Sequence, residues 1–336
     1  MADSRWPRIL RGLLLLGNEL LRSKSSESLQ RIETGVGRSE YAVGNKPVPS
    51  PQSLRNRLER RQRVVSSPSR SNGVTVEVCV TDLSGAITAE AAGAHRLELC
   101  SGLPLGGLTP GIGTLESVLA QCEIPVIVLI RPREGGFRYH ENEVRVVEAE
   151  LRAIARHHPS VAGFALGALT TDGDLDQPVL RRWLETAKSA EDHFELCLHR
   201  AFDHVRDAKE SLHQAIDLGF DRILTSGLAP NAPDGMKQIA ALVAEAAGQI
   251  EVMPGGGIDA EQGLQLVAQT GVRSLHLSGA RWTSSGMQFQ RSGIALGSGS
   301  APDETRHLQT DGTRIEALLD ALSASSRGTP GETEEK

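Results

Sequence analysis

From Val74 onward the chain repeats one pattern eight times: a short apolar, β-branched run, then a stretch whose apolar residues have helical spacing. This alternation specifies a parallel sheet with crossover helices, because parallel neighbours need a connection long enough to return across the sheet. The pattern predicts strands at Val76–Val80, Arg96–Cys100, Val126–Ile130, Ala162–Leu166, Phe194–His199, Arg222–Thr225, Ile250–Met253 and Ser274–Leu277. Between them, Asn142–Arg156 carries Val146, Val147, Leu151 and Ile154 as an apolar face, and Lys209–Leu218 turns Leu212, Ala215 and Ile216 inward. Arg314–Leu322 reads as a closing helix. Eight alternations in roughly 250 residues match a closed barrel better than an open, doubly wound sheet. The expected fold is α/β, a single (β/α)8 TIM-type barrel over residues 74–324.

The flanking segments lack this pattern. Residues 1–73 are rich in Ser, Arg, Pro and Gly, and past a short helix at Trp6–Arg22 they show no sustained apolar period, which marks a disordered N-terminal extension. They hold 14 Lys and Arg against 6 Asp and Glu, leaving 22 against 36 in the remainder, so the basic character belongs to this leader alone. Its basic stretch Arg55–Arg63 reads as a solvated linker in preference to a nucleic-acid contact. The leader is also compatible with a misassigned start: no Met lies between Met1 and Met236, and a start codon other than ATG would be read here as Val. Residues 325–336 read as a frayed acidic tail. The apolar run Ile9–Gly17 is interrupted by Arg11 and too short to cross a bilayer, so neither secretion nor membrane insertion is expected. Four scattered cysteines without a CxxC pair fit a reducing cytoplasm better than a disulfide framework.

In a barrel of this kind the active face is built from strand carboxyl ends and the loops that follow them. Here those segments include CVTD (79–82), CSGLPLGGLTP (100–110), RPREGGFRY (131–139), HRAFD (199–203), PGGGID (254–259) and SGAR (278–281). Strand side chains alternate with a period of two, so Glu77 with Cys79, Glu98 with Cys100, and Cys197 with His199 share faces that should point into the barrel. Buried charges demand partners, and Arg131, Arg200 and Arg281 are the cations nearest this face in sequence.

Each residue has a plain reading beside a functional one. The cysteines pack as small core residues, or Cys79 and Cys100, ending adjacent strands roughly 5–7 Å apart, share one soft metal ion such as Cu(I). His199 is a third ligand, a general base or a satisfied core histidine, whereas His276 packs. Arg131 grips an anion through its planar fork or neutralises Glu77 and Glu98. Asp203 orients His199 or caps the helix that follows. Gly255, Gly256 and Gly257, with Ser278 and Gly279, occupy positions where many barrels bind phosphate, or they make sharp turns.

The ordered set EVCV (77–80), RLELCSGL (96–103), GGLTP (106–110), IRPR (130–133), GALTTDG (167–173), HRAFD (199–203), ILTSG (223–227), VMPGGGI (252–258) and LHLSGAR (275–281) resembles the CutC family of copper homeostasis proteins. The resemblance spans about Val76 to Met287 and implies a β/α barrel, a cytoplasmic location, a homo-oligomer and a Cu(I) site at the cysteines equivalent to Cys79 and Cys100. The long leader and Cys197 depart from the family pattern. Two readings follow. One is a copper-binding protein with Cys79 and Cys100 as ligands. The other is an enzyme on a small anionic or phosphorylated metabolite, with Glu98, Arg131, His199 and Asp203 as catalytic groups and the glycine loops as the anion site.

Overall fold

The computed structural model describes residues 73–189, 194–289, 291, 294 and 304–327. The readings made of the leader and the acidic tail lie outside the described residues, apart from the tail's first three positions, which close the last helix.

Among the described residues, eight parallel strands and eight α-helices alternate along the chain. The strands are β1 (Thr75–Val80), β2 (Arg96–Leu99), β3 (Val126–Leu129), β4 (Gly163–Leu166), β5 (Glu195–Leu198), β6 (Arg222–Thr225), β7 (Glu251–Pro254) and β8 (Ser274–Leu277). The helices are α1 (Leu83–Ala91), α2 (Ile112–Gln121), α3 (Glu141–His157), α4 (Gln177–Lys188), α5 (Ala208–Leu218), α6 (Met236–Ala246), α7 (Ala260–Thr270) and α8 (Gly312–Arg327). Strand order is β7-β6-β5-β4-β3-β2-β1-β8, and a parallel bridge between Gly255 and His276 joins the two ends into a barrel.

Alternation along the strands creates two separate apolar regions. Outward residues such as Val78, Leu97, Val128, Phe164, Leu196 and Ile223 pack under the helices in one large core. Inward residues form a second, smaller cluster of Cys79, Cys100, Ile127, Leu129, Ala165, Cys197, Leu224 and Met253. The longest helix shows how the outer layer is specified. In α3, Val144, Val147, Leu151 and Ile154 are buried at three- and four-residue spacing, and Glu143 accepts from the His140 amide at 2.8 Å to satisfy the first turn. Trp183 of α4 packs against this helix and donates its indole N–H to the Val144 carbonyl at 3.2 Å. Val146, assigned by its spacing to the apolar face, lies instead on the exposed side. That position is one step around the helix from the buried stripe.

Between β8 and α8 the chain forms an antiparallel pair, β9 (Ala280–Ser284) and β10 (Arg306–Thr310), which the alternation pattern does not anticipate. Among the described residues no helix is long and apolar enough to cross a membrane.

Candidate active site

The inward faces of the strands carry far more charge than a packed barrel interior needs. At the amino-terminal end, Arg96 of β2 pairs with Glu77 of β1, and its Nη1 lies 3.7 Å from Glu195 of β5. Arg222 of β6 donates to Glu195 at 2.9 Å and to Glu251 at 2.7 Å. The counterions of the buried carboxylates are therefore Arg96 and Arg222, not the Arg131, Arg200 and Arg281 expected from sequence. Arg200 pairs with Asp203 at 2.6 Å, and Arg281 with Asp311 at 3.1 Å.

One level up, a chain of polar contacts crosses β8, β1 and β2. His276 Nδ1 meets Glu77 at 2.7 Å, its Nε2 faces Glu98 at 3.7 Å, and Cys79 lies beside Glu98 as its register partner on β2, with ligand atoms within 4.8 Å. Burial would raise the Glu77 carboxyl, but Arg96, His276 and Arg222 together hold it well below the usual carboxylate range. Glu98 goes the other way: burial and the neighbouring Glu77 raise it against the pull of His276. His276 is raised because Glu98 and Glu77 outweigh the opposing effect of burial. A carboxylate on one imidazole nitrogen orients the other, so the reading of His276 as mere packing is replaced by that of a site residue.

The Cys79 and Cys100 sulfurs lie 3.4 Å apart, within the reach of two ligands of one ion at bonds of about 2.3 Å. Cys79, Glu98 and His276 also offer three ligand atoms within 4.8 Å of one another. The bond to Cys100, then burial and Glu98, push the Cys79 thiol up, so any metal bound there must displace protons. Cys197 lies deeper, with burial raising its thiol as well.

Above this level opens a cavity of about 870 Å³, bordered by Cys79, Glu98 and His276 on one side and by Arg131, Phe137 and His199 on another. Arg131 is only 6% exposed, yet no carboxylate pairs with it among the described residues. Its fork is held instead by the carbonyls of Leu105, Gly107 and Gly135 at 2.9, 3.0 and 2.8 Å, and its guanidinium stacks on Phe137. It neutralises neither Glu77 nor Glu98 and does not present a free bidentate fork; it is a fixed positive charge. Gly106, left-handed at φ +86°, lets the loop approach Arg131, since a Cβ there would sit 3.0 Å from Nη1.

His199 packs on Phe137, ring centroids 5.2 Å apart. Its Nδ1 accepts the Ala201 amide at 3.2 Å, while its Nε2 is buried without a partner. Burial, and then Arg131, depress its pKa to about 3. Asp203, read as an orienter of His199 or a helix cap, does neither. Its carboxylate accepts from Arg200, Thr225 at 2.5 Å and the Ser226 amide at 2.9 Å, tying the β5 and β6 loops together, and Asp207 caps α5.

The glycine loops border the outer part of the cavity through Gly256, Gly257, Ser278 and Gly279, whereas Gly255 is built into the barrel wall against Leu224 and His276. Asp259 occupies the start of α7, accepting the Glu261 and Gln262 amides at 3.0 Å, and both Asp259 and Glu261 line the cavity. Arg200 and Arg314 line the same rim, giving it charges of both signs.

These features define a β/α barrel with a polar, thiol-bearing cavity at the carboxyl ends of its strands. The model of the CutC family matches residues 74–281, and the chain belongs to that family. The copper homeostasis protein cutC homologs of mouse and human are 38% and 37% identical to it over 262 and 260 residues, each 77% of this chain and 94% and 93% of theirs. The crystal structure of the CutC protein of Streptococcus agalactiae shares 32% identity at a TM-score of 0.56, covering 61% of this chain and 98% of the other.

Proposed function

We propose that this protein is a barrel enzyme acting on a small anionic metabolite held in the cavity above Glu98. The observation that carries this reading is Arg131, a buried guanidinium on the cavity wall without an acidic partner among the described residues. A buried charge left uncompensated by the protein is stabilised by an anion from outside it. Glu98, which lines the same cavity and whose proton is held more tightly than usual, is the group suited to move a proton. Cysteines held as thiols, with Cys79, Cys100 and Cys197 buried in the barrel and none in a disulfide, suit a reducing, cytoplasmic setting. Calorimetric titration with small carboxylates and inorganic phosphate tests the reading: at least one should bind the wild type and bind Arg131→Met at least tenfold more weakly. Absence of binding by every anion, or binding indifferent to Arg131, would overturn it.

A second reading is Cu(I) binding, favoured by the 3.4 Å approach of the Cys79 and Cys100 sulfurs. The donor set fits, since soft thiolates select Cu(I). Cys79 faces the cavity, Cys100 lies behind it, and a bound ion would supply a soft Lewis-acid centre there. Anaerobic Cu(I) titration against a competing chelator decides it: tight one-to-one binding lost in Cys79→Ser/Cys100→Ser supports copper, and equal affinities exclude this site.

A further inference from the structure

We propose that His199 recognises the substrate as a neutral hydrogen-bond donor through Nε2, and that the group it meets is the keto or enolate oxygen of a 2-oxo carboxylate whose carboxylate faces Arg131. This rests on the anionic-metabolite reading above and narrows it.

The neighbours of His199 fix its tautomer. A neutral imidazole has one N–H and one lone pair, and the Ala201 amide, 3.2 Å from Nδ1, requires the lone pair to be there. The proton then sits on Nε2. That nitrogen is buried and has no acceptor, on a side chain only 4% exposed that borders the cavity. A buried N–H left without an acceptor costs about 1–3 kcal/mol, so the site is built for an acceptor that arrives with the ligand. The same tautomer removes His199 from two roles considered for it. Nε2 has no lone pair with which to act as a base or to bind a metal, and moving the proton to Nδ1 would set it against the Ala201 amide.

The wall fixes this arrangement. Gly167 of the β4 loop leaves the space the ring fills: a Cβ there would lie 2.7 Å from Nδ1 and Cε1. Phe137 touches both His199 and Arg131, 5.2 Å from the imidazole centroid and 5.1 Å from the guanidinium carbon. Arg131 is the charged group facing His199, and its repulsion together with burial keeps the ring uncharged. The wall thus offers a fixed cation and, packed on the same aromatic ring, a residue whose neutral donor is unsatisfied. A carboxylate with an adjacent carbonyl oxygen matches that pair, and a donor already aimed at the carbonyl stabilises negative charge that develops on it. A phosphate dianion would instead be drawn to the glycine rim, where Asp259 and Glu261 oppose it.

The test uses full-length protein labelled with 15N-histidine, with pyruvate and inorganic phosphate as probes. Long-range 1H–15N spectra should show His199 neutral with its proton on Nε2 throughout pH 5–8; a proton on Nδ1, or titration within that range, overturns the proposal. Pyruvate labelled with 13C at C2 should shift the Nε2 proton and its own C2 resonance downfield. Its affinity should fall at least about tenfold in His199→Phe and be largely kept in His199→Gln, whose amide can still donate. Equal pyruvate affinity in wild type and His199→Phe overturns the donor role. Phosphate binding without pyruvate binding overturns this inference while leaving the anionic-metabolite reading intact, and binding of neither probe or any other small acid removes both.

Discussion

Replacing Glu77 by Gln keeps the shape of the side chain and removes its charge at the centre of the barrel. Glu77 is 2% exposed and joins two donors, the Arg96 guanidinium and His276 Nδ1 at 2.7 Å. Breaking a buried ion pair from one side costs about 3–5 kcal/mol, because the remaining charge stays buried. Glutamine still offers one oxygen to one donor but sets its NH2 against the other, and Arg96 keeps only the longer contact to Glu195 at 3.7 Å. A net loss of about 3 kcal/mol is expected, which for a barrel of this size lowers the melting temperature by roughly 6–12 °C. The pH dependence gives an independent check. The folded Glu77 carboxyl is depressed, so its contribution is present above the unfolded value of about 4.3 and is lost as pH falls toward the folded value. The gap between wild type and Glu77→Gln, followed by calorimetry or circular dichroism, should be full at neutral pH and shrink on acidification below about pH 4. Glu77→Gln combined with Arg96→Met should be less damaging than Glu77→Gln alone, because both buried charges are removed together. A shift under about 2 °C at neutral pH, or a gap that persists unchanged in acid, would refute this account of the interior network.

Gly167→Ala should cost about 1–3 kcal/mol in denaturant unfolding by overpacking the His199 ring, and should perturb the His199 nitrogen resonances more than any other histidine's. Asp203→Asn, which points an amide at the donors of Thr225 and Ser226, should destabilise by about 1–3 kcal/mol while leaving the His199 tautomer unchanged, since the two side chains do not touch. Cys197, buried with its thiol pushed up, should resist alkylation in the native protein and react promptly once denaturant is added; rapid native labelling would contradict the described interior.

The barrel was legible because its strands are short, apolar and bounded by helices, and the predicted strands lie within about two residues of those observed. Period-two alternation also correctly put Glu77, Glu98, Cys79, Cys100, Cys197 and His199 on inward faces. The same rule, carried back two residues from Glu98, reaches Arg96, and from Leu224 it reaches Arg222. Those cations lie at the amino-terminal strand ends, away from the loops of the active face that carry Arg131, Arg200 and Arg281, so the motif pattern does not single them out. What alternation cannot supply is which inward groups touch across the barrel. The pairing of Glu77 with His276 depends on β1 lying beside β8, a closure that brings together residues 199 positions apart. Nor does a residue type disclose how its donors are spent. Arg131 looked like a fork for a ligand, yet three loop carbonyls hold that fork and leave its charge as the functional quantity.

The two ends of the barrel interior differ in one respect that bears on function. At the amino-terminal end each buried cation faces acids: Arg96 meets Glu77 and Glu195, and Arg222 meets Glu195 and Glu251. These pairs tie β1 to β2, β5 to β6 and β6 to β7 without a ligand, and Glu195 serves both Arg96 and Arg222. At the carboxyl end the partly exposed Arg200 is matched by Asp203, but the buried groups are not. Among the described residues Arg131 has carbonyl partners but no acid, His199 has a buried Nε2 with no acceptor, and both border the cavity. A fold able to compensate its charges at one end had the means to do so at the other, where a single acidic substitution beside Arg131 would have stabilised the free protein. Leaving that wall electrostatically incomplete destabilises the empty state relative to an occupied one, which is the physical basis of the proposal that an anion carrying an acceptor oxygen binds there.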